Sequence, residues 1–241
     1  MNDAIILSGM ITRWRQLEVR ANNLANAETP GFQALHLQAV TSRVTQPAGA
    51  PASDIAYAAT RGTWRDTEPG PIQRTGNALD LALGAAGYFT VMTPAGTRLT
   101  RDGHFTLDAT GTIVDQQGDP LLDSQGQNIQ LGSADGRPSI ASDGTISGKQ
   151  GVIGRIGVVE PTNPQALASQ GGTLLAATSP TAPVAEPHLL QGAVEGSTTN
   201  AIAETVGMVD DTRQFQLIAS MLKAESTRRN QAIQQILSQV N

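Results

Sequence analysis

Both ends of the 241-residue chain carry apolar residues that recur every three or four positions. Such a stripe follows one side of an α-helix and needs a partner to cover it. The first stripe runs from about residue 2 to residue 27, and no proline precedes Pro30. The stripe consists of Leu7, Met10, Trp14, Leu17, Ala21 and Leu24. This spacing predicts a long N-terminal helix that stops at Thr29-Pro30-Gly31.

The second stripe runs from about residue 200 to residue 241 and predicts a long C-terminal helix. Thr212, Ser226 and Arg229 interrupt its otherwise apolar seam, so we expect this helix to be weaker in the middle. The seam consists of Met208, Thr212, Phe215, Ala219, Leu222, Ser226, Arg229, Ile233, Ile236 and Val240. Each helix can cover the stripe of the other, and we expect the two to pair as a coiled coil.

The chain between the helices changes character at about residue 76. Residues 34–75 contain four prolines, and we expect an extended arm or linker with little regular structure there. Residues 76–190 are short apolar runs separated by glycine turns, which is typical of an all-β sandwich or barrel. The predicted fold class is α+β, with a mainly all-β central domain at 76–190 between helical segments at 1–33 and 191–241.

Composition excludes several classes of protein. The net charge is −5, and clustered cations suited to nucleic acid are absent. The chain has no cysteine, which excludes thiol catalysis, cysteine zinc sites and disulfides. No apolar run approaches the roughly 20 residues of a membrane span, so we expect no membrane insertion. The N-terminus does not have the pattern of a secretory signal, and we expect none to be cleaved.

The sequence offers no clear active site. His36, His104 and His188 are scattered, and their spacing does not suggest a metal site. Asp-rich turns between Asp102 and Asp123 lack the residue order of a calcium loop, and Asp-Gly is a common hairpin turn. No Gly-x-Ser-x-Gly elbow is present. We therefore expect no catalytic residues, no cofactor and no metal, and a protein that is not an enzyme.

The first helix ends in Asn22-Asn23-Leu24-Ala25-Asn26-Ala27-Glu28-Thr29-Pro30-Gly31-Phe32. This segment resembles the signature of the flagellar basal-body rod protein family, which includes the axial proteins of the rod and hook. Further segments resemble family motifs: Thr75-Gly76-Asn77, Leu79–Leu83, Thr100–Phe105, Gly192-x-x-Glu195-x-Ser197 and Arg213-x-Phe215. One departure is Thr198-Thr199, where the family usually has Asn-Val. We expect this exchange at a helix N-cap to be mild.

The resemblance implies a structural subunit of the rod that assembles into a helical tube and transmits torque. Length favours the proximal rod over the distal rod. The implied partners are other rod subunits, including the distal-rod protein, and the flagellar type III export apparatus. The implied location is the basal body, where the rod spans the periplasm. Two other interpretations stay open: a β-domain binding module with helical tethers, and a periplasmic wall hydrolase.

We expect subunit contacts along the helical seams and around the signature. The two signature asparagines are poor helix formers, which suggests that they bond across subunits or to the partner helix. The candidate interface residues are Leu7, Met10, Trp14, Leu17, Asn22, Asn23, Leu24, Asn26, Thr29, Pro30, Gly31, Phe32, Arg213, Phe215, Ile218 and Leu222.

Overall fold

The chain forms a helical unit and a β unit, each built from separate stretches of sequence. The structure, a computed structural model, describes the backbone of residues 2–44 and 55–239 and the side chains of residues 6–40 and 60–238. The described parts of the helical unit are residues 2–25, 35–44, 55–64 and 200–239. The β unit contains residues 26–34 and 65–199.

Helix α1 covers Asn2–Ala25 and helix α2 covers Ala201–Gln239, which confirms the two predicted helices around a mostly β region. The strands are β1 Leu35–Val44, β2 Ile55–Arg65, β3 Ile72–Arg74, β4 Leu81–Leu83, β5 Tyr88–Thr93, β6 Gly96–Thr100, β7 Thr106–Leu107, β8 Ile113–Val114, β9 Ser139–Ile140, β10 Thr145–Gly148, β11 Gly151–Arg155, β12 Val158–Pro161, β13 Leu167–Ser169, β14 Leu175–Ala177, β15 Thr181–Pro183, β16 Leu189–Gln191 and β17 Ala193–Glu195. A 3-10 helix covers Pro164–Ala166. Within residues 2–44 and 55–239, no helix has the length and apolar character needed to cross a membrane.

The two helices run antiparallel within the helical unit. The late α1 residue Arg20 bonds to Glu204 in the first turn of α2, and the earlier Trp14 packs on Phe215 with ring centroids 6.1 Å apart. Beyond this paired region, every described side chain of α2 from Ser226 onward is exposed.

The cap of α2 differs from the sequence prediction. Asn200 caps the helix, because its Oδ1 accepts hydrogen bonds from the backbone N of Ile202 and Ala203, each at 3.1 Å. The prediction that Thr198 occupies the N-cap is wrong. Its hydroxyl instead accepts a hydrogen bond from Ala34 N at 2.8 Å, within the β unit.

The arm is more regular than the sequence suggested. The expectation of little regular structure in residues 34–75 is wrong, because β1 and β2 pair as a two-stranded sheet and β3 pairs with β17. Pro69 and Pro71 lie between β2 and β3 and interrupt neither strand, while Pro47 and Pro51 lie outside the described residues.

The β unit is built around a six-stranded sheet with the order β13-β14-β6-β5-β12-β15. Strands β5 and β6 form an antiparallel hairpin in which Phe89 is opposite Thr100. Phe89 and Phe105 meet edge to face in the core, with ring centroids 5.3 Å apart. Their fully buried neighbours in this cluster include Leu81, Leu83, Val91, Ile113, Leu121 and Ile146.

One part of the core is an internal repeat with a spacing of eight residues. Ile113 N donates to Ile129 O, Leu121 N to Ile113 O and Ile129 N to Leu121 O, which closes a three-sided ring of backbone bonds. Before each of these residues stands an Asp-x-x-Gly turn, at 108–111, 115–118 and 123–126. In each turn one aspartate oxygen accepts hydrogen bonds from the backbone N two and four residues later. These three turns are named the aspartate turns.

Gly103, within the motif Thr100–Phe105, lies against the backbone of Leu81 with no room for a side chain. A Cβ built on Gly103 would lie 1.6 Å from the backbone oxygen of Leu81, and the Leu81 amide donates to Gly103 O at 2.9 Å. We expect Gly103→Ala to lower the free energy of unfolding by about 3 kcal/mol or more, because backbone must move. The matched control is Gly154→Ala, where nothing lies within 4 Å of the added atom. Urea denaturation of both variants checks this, and equal losses would contradict it.

Candidate functional site

The buried side-chain amide of Asn23 joins α1 to two other segments of the helical unit. Asn23 is 1% exposed. Its Nδ2 donates to Leu35 O at 2.8 Å and to Glu204 Oε1 at 3.0 Å, and its Oδ1 accepts from Leu35 N at 2.9 Å. The amide therefore fixes the start of β1 and the first turn of α2 at one point of α1. The side chain of Asn22, by contrast, is exposed.

A charged cluster continues this polar contact along the two helices. Arg20 bridges two carboxylates of α2, with Nη1 donating to Glu204 Oε2 at 2.9 Å and Nε to Asp211 Oδ2 at 2.7 Å. Arg13 Nη1 donates to the other oxygen of Asp211 at 3.1 Å. The four charges and Asn23 set the register of the two helices, because a shift of one turn would leave buried carboxylates unpaired.

The position of the Arg20 side chain depends on Gly207. A Cβ at Gly207 would lie 2.3 Å from Arg20 Nη1, so a side chain there would displace the guanidinium. Burial of Arg20 opposes its charge, but hydrogen bonds to Asp211 and Glu204 outweigh burial and hold its pKa above the ordinary arginine value.

The second half of the signature belongs to the β unit. Gly31 N donates to Glu195 O at 2.8 Å, and Thr198 N donates to Phe32 O at 3.0 Å. Gly31 has a φ of +67°, and a Cβ there would lie 2.3 Å from the carbonyl carbon of Arg101. Only glycine satisfies both the backbone conformation and the close approach. Three family motifs therefore meet at this point: the signature, Thr100–Phe105 and Gly192–Ser197.

A buried ion pair lies where these motifs meet. Arg101 Nη1 donates to Glu195 Oε1 at 3.0 Å, and both side chains are at most 2% exposed. The other guanidinium nitrogens donate to backbone oxygens, Nε to Gly87 at 3.0 Å and Nη2 to Ala85 at 2.7 Å. The guanidinium carbon is 5.5 Å from the centroid of the Tyr88 ring. Each of the three guanidinium nitrogens of Arg101 therefore donates a hydrogen bond.

Only one of the two carboxylate oxygens of Glu195 is hydrogen-bonded within the described residues. Its Oε1 also accepts from Gly70 N at 2.9 Å, whereas its buried Oε2 has no hydrogen-bond partner within the described residues. Burial raises the pKa of Glu195, and Arg101 and the Gly70 amide offset part of that rise. A buried pair of this kind adds little net stability, but loss of one partner strands a charge and costs about 3–5 kcal/mol.

Two side-chain amides hold the two ends of the β1–β2 pair in the same way. At its start Asn23 bonds both backbone groups of Leu35, as described above. At its end Gln165 Oε1 accepts from Arg65 N at 2.7 Å, and Gln165 Nε2 donates to Arg65 O at 2.8 Å. Asp66 N donates to Ala34 O at 2.8 Å, which joins the residues that flank the β1–β2 pair.

The predicted interface residues lie in different environments. In the helical unit, Leu7, Trp14, Asn22 and Arg213 are exposed, Asn23 is buried, and Met10, Leu17, Leu24, Phe215, Ile218 and Leu222 are partly buried. In the β unit, Gly31 and Phe32 are buried, and Asn26, Thr29 and Pro30 are partly buried. The structure thus brings the α1 and α2 seams together over part of their length only.

The histidines stand apart from one another. His36 stacks on Trp64 with ring centroids 4.4 Å apart, and His104 Nδ1 lies 3.4 Å from Asp102 Oδ1. His188 has a φ of 49° in a loop before β16. Within the part of the chain that the structure describes, no three histidine or carboxylate side chains are grouped as metal ligands.

Comparison with known proteins places the whole arrangement in one class, the axial proteins of the bacterial flagellum. The family model "Flagella basal body rod protein" matches residues 5–33. The model "Flagellar hook protein FlgE/F/G D1 domain" matches residues 82–148, and "Flagellar basal body rod FlgEFG protein C-terminal" matches residues 190–235. The matches cover both helices and much of the β unit.

Within this class, the individual relatives are proteins of the basal-body rod. The chain is 32% identical to flagellar basal-body rod protein FlgF of Caulobacter vibrioides, over 95% of each chain. It is 32% identical to FlgF of Escherichia coli, over 90% of this chain and 92% of that protein. It is 33% identical to FlgG of Bacillus subtilis, over 70% of each chain. The chain belongs to the flagellar basal-body rod protein family and is a structural subunit of the basal-body rod.

Sequence reasoning missed several residues of the site. Arg101 and Glu195 stood inside the recognised motifs, but nothing in the spacing showed that they pair. Glu204 and Asp211 lie seven residues apart, which puts both on one side of α2, and Arg13 and Arg20 have the same spacing in α1. That matched spacing of opposite charges was the available signal. Gln165 had none.

Asn23 provides a test of the polar contact in the helical unit. We expect Asn23→Ala to lower the free energy of unfolding by about 3 kcal/mol, because the backbone of Leu35 and the Glu204 carboxylate lose their partner. The matched control is Gln16→Ala on the same helix, for which we expect a change within about 0.5 kcal/mol. Chemical denaturation followed by circular dichroism measures both, and a loss below about 1 kcal/mol for Asn23→Ala would contradict the assignment.

Proposed function

We propose that the protein is a structural, non-enzymatic subunit of the proximal rod. The observation that carries the proposal is the similarity to FlgF proteins, which extends through both helices and the β unit. No second function is favoured by any feature of the described residues.

The helical unit leaves apolar surface that assembly would cover. Trp14 is 54% exposed on α1 and Ile202 is 79% exposed on α2. Further exposed apolar residues on these helices are Leu7, Ile11, Val206, Val209, Leu217, Met221, Ile233, Ile236 and Leu237. Apolar surface of this extent is characteristic of interaction sites. Two paired helices alone bury too little to offset their ordering entropy, which favours contacts with further copies.

The paired α1 and α2 would form coiled-coil contacts with neighbouring subunits along this surface. The C-terminal part of α2 is the part best placed to do so, since every described side chain from Ser226 onward is exposed. A contact that joins different surfaces of successive subunits does not close, and so it produces a helical tube. The tube transmits torque through these repeated apolar contacts.

The rod position implies further partners. The chain would follow the flagellar type III export route without a cleaved signal and assemble where the rod spans the periplasm. Its neighbours would be other rod subunits, including the distal-rod protein. The relatives FlgF and FlgG are both named as basal-body rod proteins, which supports these neighbours.

Mass spectrometry of purified hook–basal bodies tests the proposal. We expect the chain to be present in several copies per basal body, in a fixed ratio to the distal-rod protein. Its absence from basal bodies that contain hook and distal rod would overturn the structural role. Presence in place of the distal-rod protein would overturn the proximal position.

A pair of variants tests the role of α2 in the same assay. We expect Ile236→Asp to reduce the incorporated copies at least tenfold, because a charge is buried without a partner in the assembled rod. Gln235→Asp adds the same charge at the adjacent exposed position and is expected to incorporate normally. Equal incorporation of both variants would contradict the proposed helix contact.

A further inference from the structure

A broad groove of about 900 Å³ opens on the β unit beside β3 and the segment around β9. All three residues of β3 are exposed, and within the described residues β3 pairs only with β17. Two apolar side chains lie in this groove at the surface, Ile72 at 41% exposure and Leu190 at 46%. A strand with one unpaired edge and exposed apolar neighbours is a surface that a partner can cover.

The groove is also cationic. Arg74 and Arg137 both line it, and no aspartate or glutamate does so among the described residues. Arg137 Nη2 donates only to the backbone oxygen of Gly76, at 3.3 Å. Within the described chain neither arginine has a carboxylate partner. Two guanidinium groups without counter-charges favour an acidic ligand, since arginine presents a fork that matches a carboxylate.

The β unit as a whole has the opposite charge. It contains 14 aspartates and glutamates against 7 arginines and lysines, a net charge of −7. The aspartate turns concentrate part of this charge in loops whose tips are exposed. Asp108 is exposed, and Asp119 and Asp123 are partly exposed. Hydrogen bonds from the Thr110 hydroxyl and the backbone N–H of Thr112 lower the pKa of Asp108. The backbone bonds described above hold the carboxylates of Asp108 and Asp123 in fixed positions.

We propose that the groove at Arg74 and Arg137 binds the aspartate turns of the β unit of a second copy of this chain. The inference rests on the proposed rod function and adds a β-unit contact to the helix contacts. The groove and the turns are different surfaces, so the contact is heterologous and can repeat without closing. Ile72 and Leu190 would supply the apolar part of the contact and the arginines its orientation.

Disulfide cross-linking can test this directly, because the chain has no native cysteine. Ser139 lines the groove and is exposed, and Ala109, Gln117 and Gln125 are exposed positions in the three aspartate turns. Ser139→Cys is combined in turn with Ala109→Cys, Gln117→Cys and Gln125→Cys, and purified basal bodies are oxidised. We expect dimers and higher multimers of this chain in at least one combination. Ser139→Cys with Val152→Cys, an exposed position away from the turns, is the control and should give none.

Charge reversal provides the second measurement. Like charges brought together at an interface cost several kcal/mol, so we expect Arg74→Glu with Arg137→Glu to reduce the copies per basal body roughly tenfold or more. Arg98→Glu reverses a partly exposed arginine of the same unit outside the groove and should incorporate normally. Unchanged thermal unfolding of the purified charge variants shows that folding is intact.

The outcomes separate this inference from the function on which it rests. Wild-type chain in the basal body without any cross-linked multimer overturns the groove contact and leaves the rod function standing. Cross-links from Ser139→Cys to a different rod protein, in a strain whose other subunits carry cysteines, overturn the second copy as the occupant. Absence of the wild-type chain from basal bodies overturns the rod function itself.

Discussion

The buried ion pair between Arg101 and Glu195 is the interaction on which the β unit's arrangement depends. Charges at this depth tolerate only one geometry, since each must find its partner and the remaining donors must find carbonyl oxygens. Arg101 meets that requirement through Gly87 and Ala85, and Glu195 through the Gly70 amide. The backbone of Glu195 then accepts the Gly31 amide, which positions the end of the signature. Motifs that are far apart in sequence therefore form one structural centre.

In the helical unit, too, polar contacts fix the geometry, but more of the apolar surface is exposed than in the β unit. Its polar contact, built from Asn23, Arg20, Glu204 and Asp211, specifies how α1 and α2 align, while many apolar side chains remain outside. Polar groups fix register but add little net stability, and apolar burial supplies most of the stability of a helix pair. In the proposed assembly, the two helices of a subunit built this way would be aligned before assembly, and contacts with neighbouring subunits would add the apolar burial that the helix pair lacks.

Much of the architecture was predictable because it depends on local patterns. The heptad stripes predicted α1 and α2, and the glycine turns predicted the β body. The prediction for the arm is wrong because prolines indicate interrupted structure, whereas Pro69 and Pro71 only flank the strands. The repeat at Ile113, Leu121 and Ile129 could have been found from its eight-residue spacing with Asp-x-x-Gly turns. The pairing of Arg101 with Glu195 could not, because 94 residues separate them and long-range contacts leave no periodic signal.

Hydrogen exchange across the signature tests the central claim most directly. In Arg101→Met the Glu195 charge is left buried and unpaired, so the amides of Gly31 and Thr198 should lose their protection while the buried amides of the Phe89 hairpin keep theirs. The account predicts this local opening, with exchange at Gly31 at least tenfold faster than in the wild type, as expected for a loss of about 1.4 kcal/mol or more. Unchanged protection at Gly31 and Thr198 would contradict the claim that the ion pair holds the signature in place.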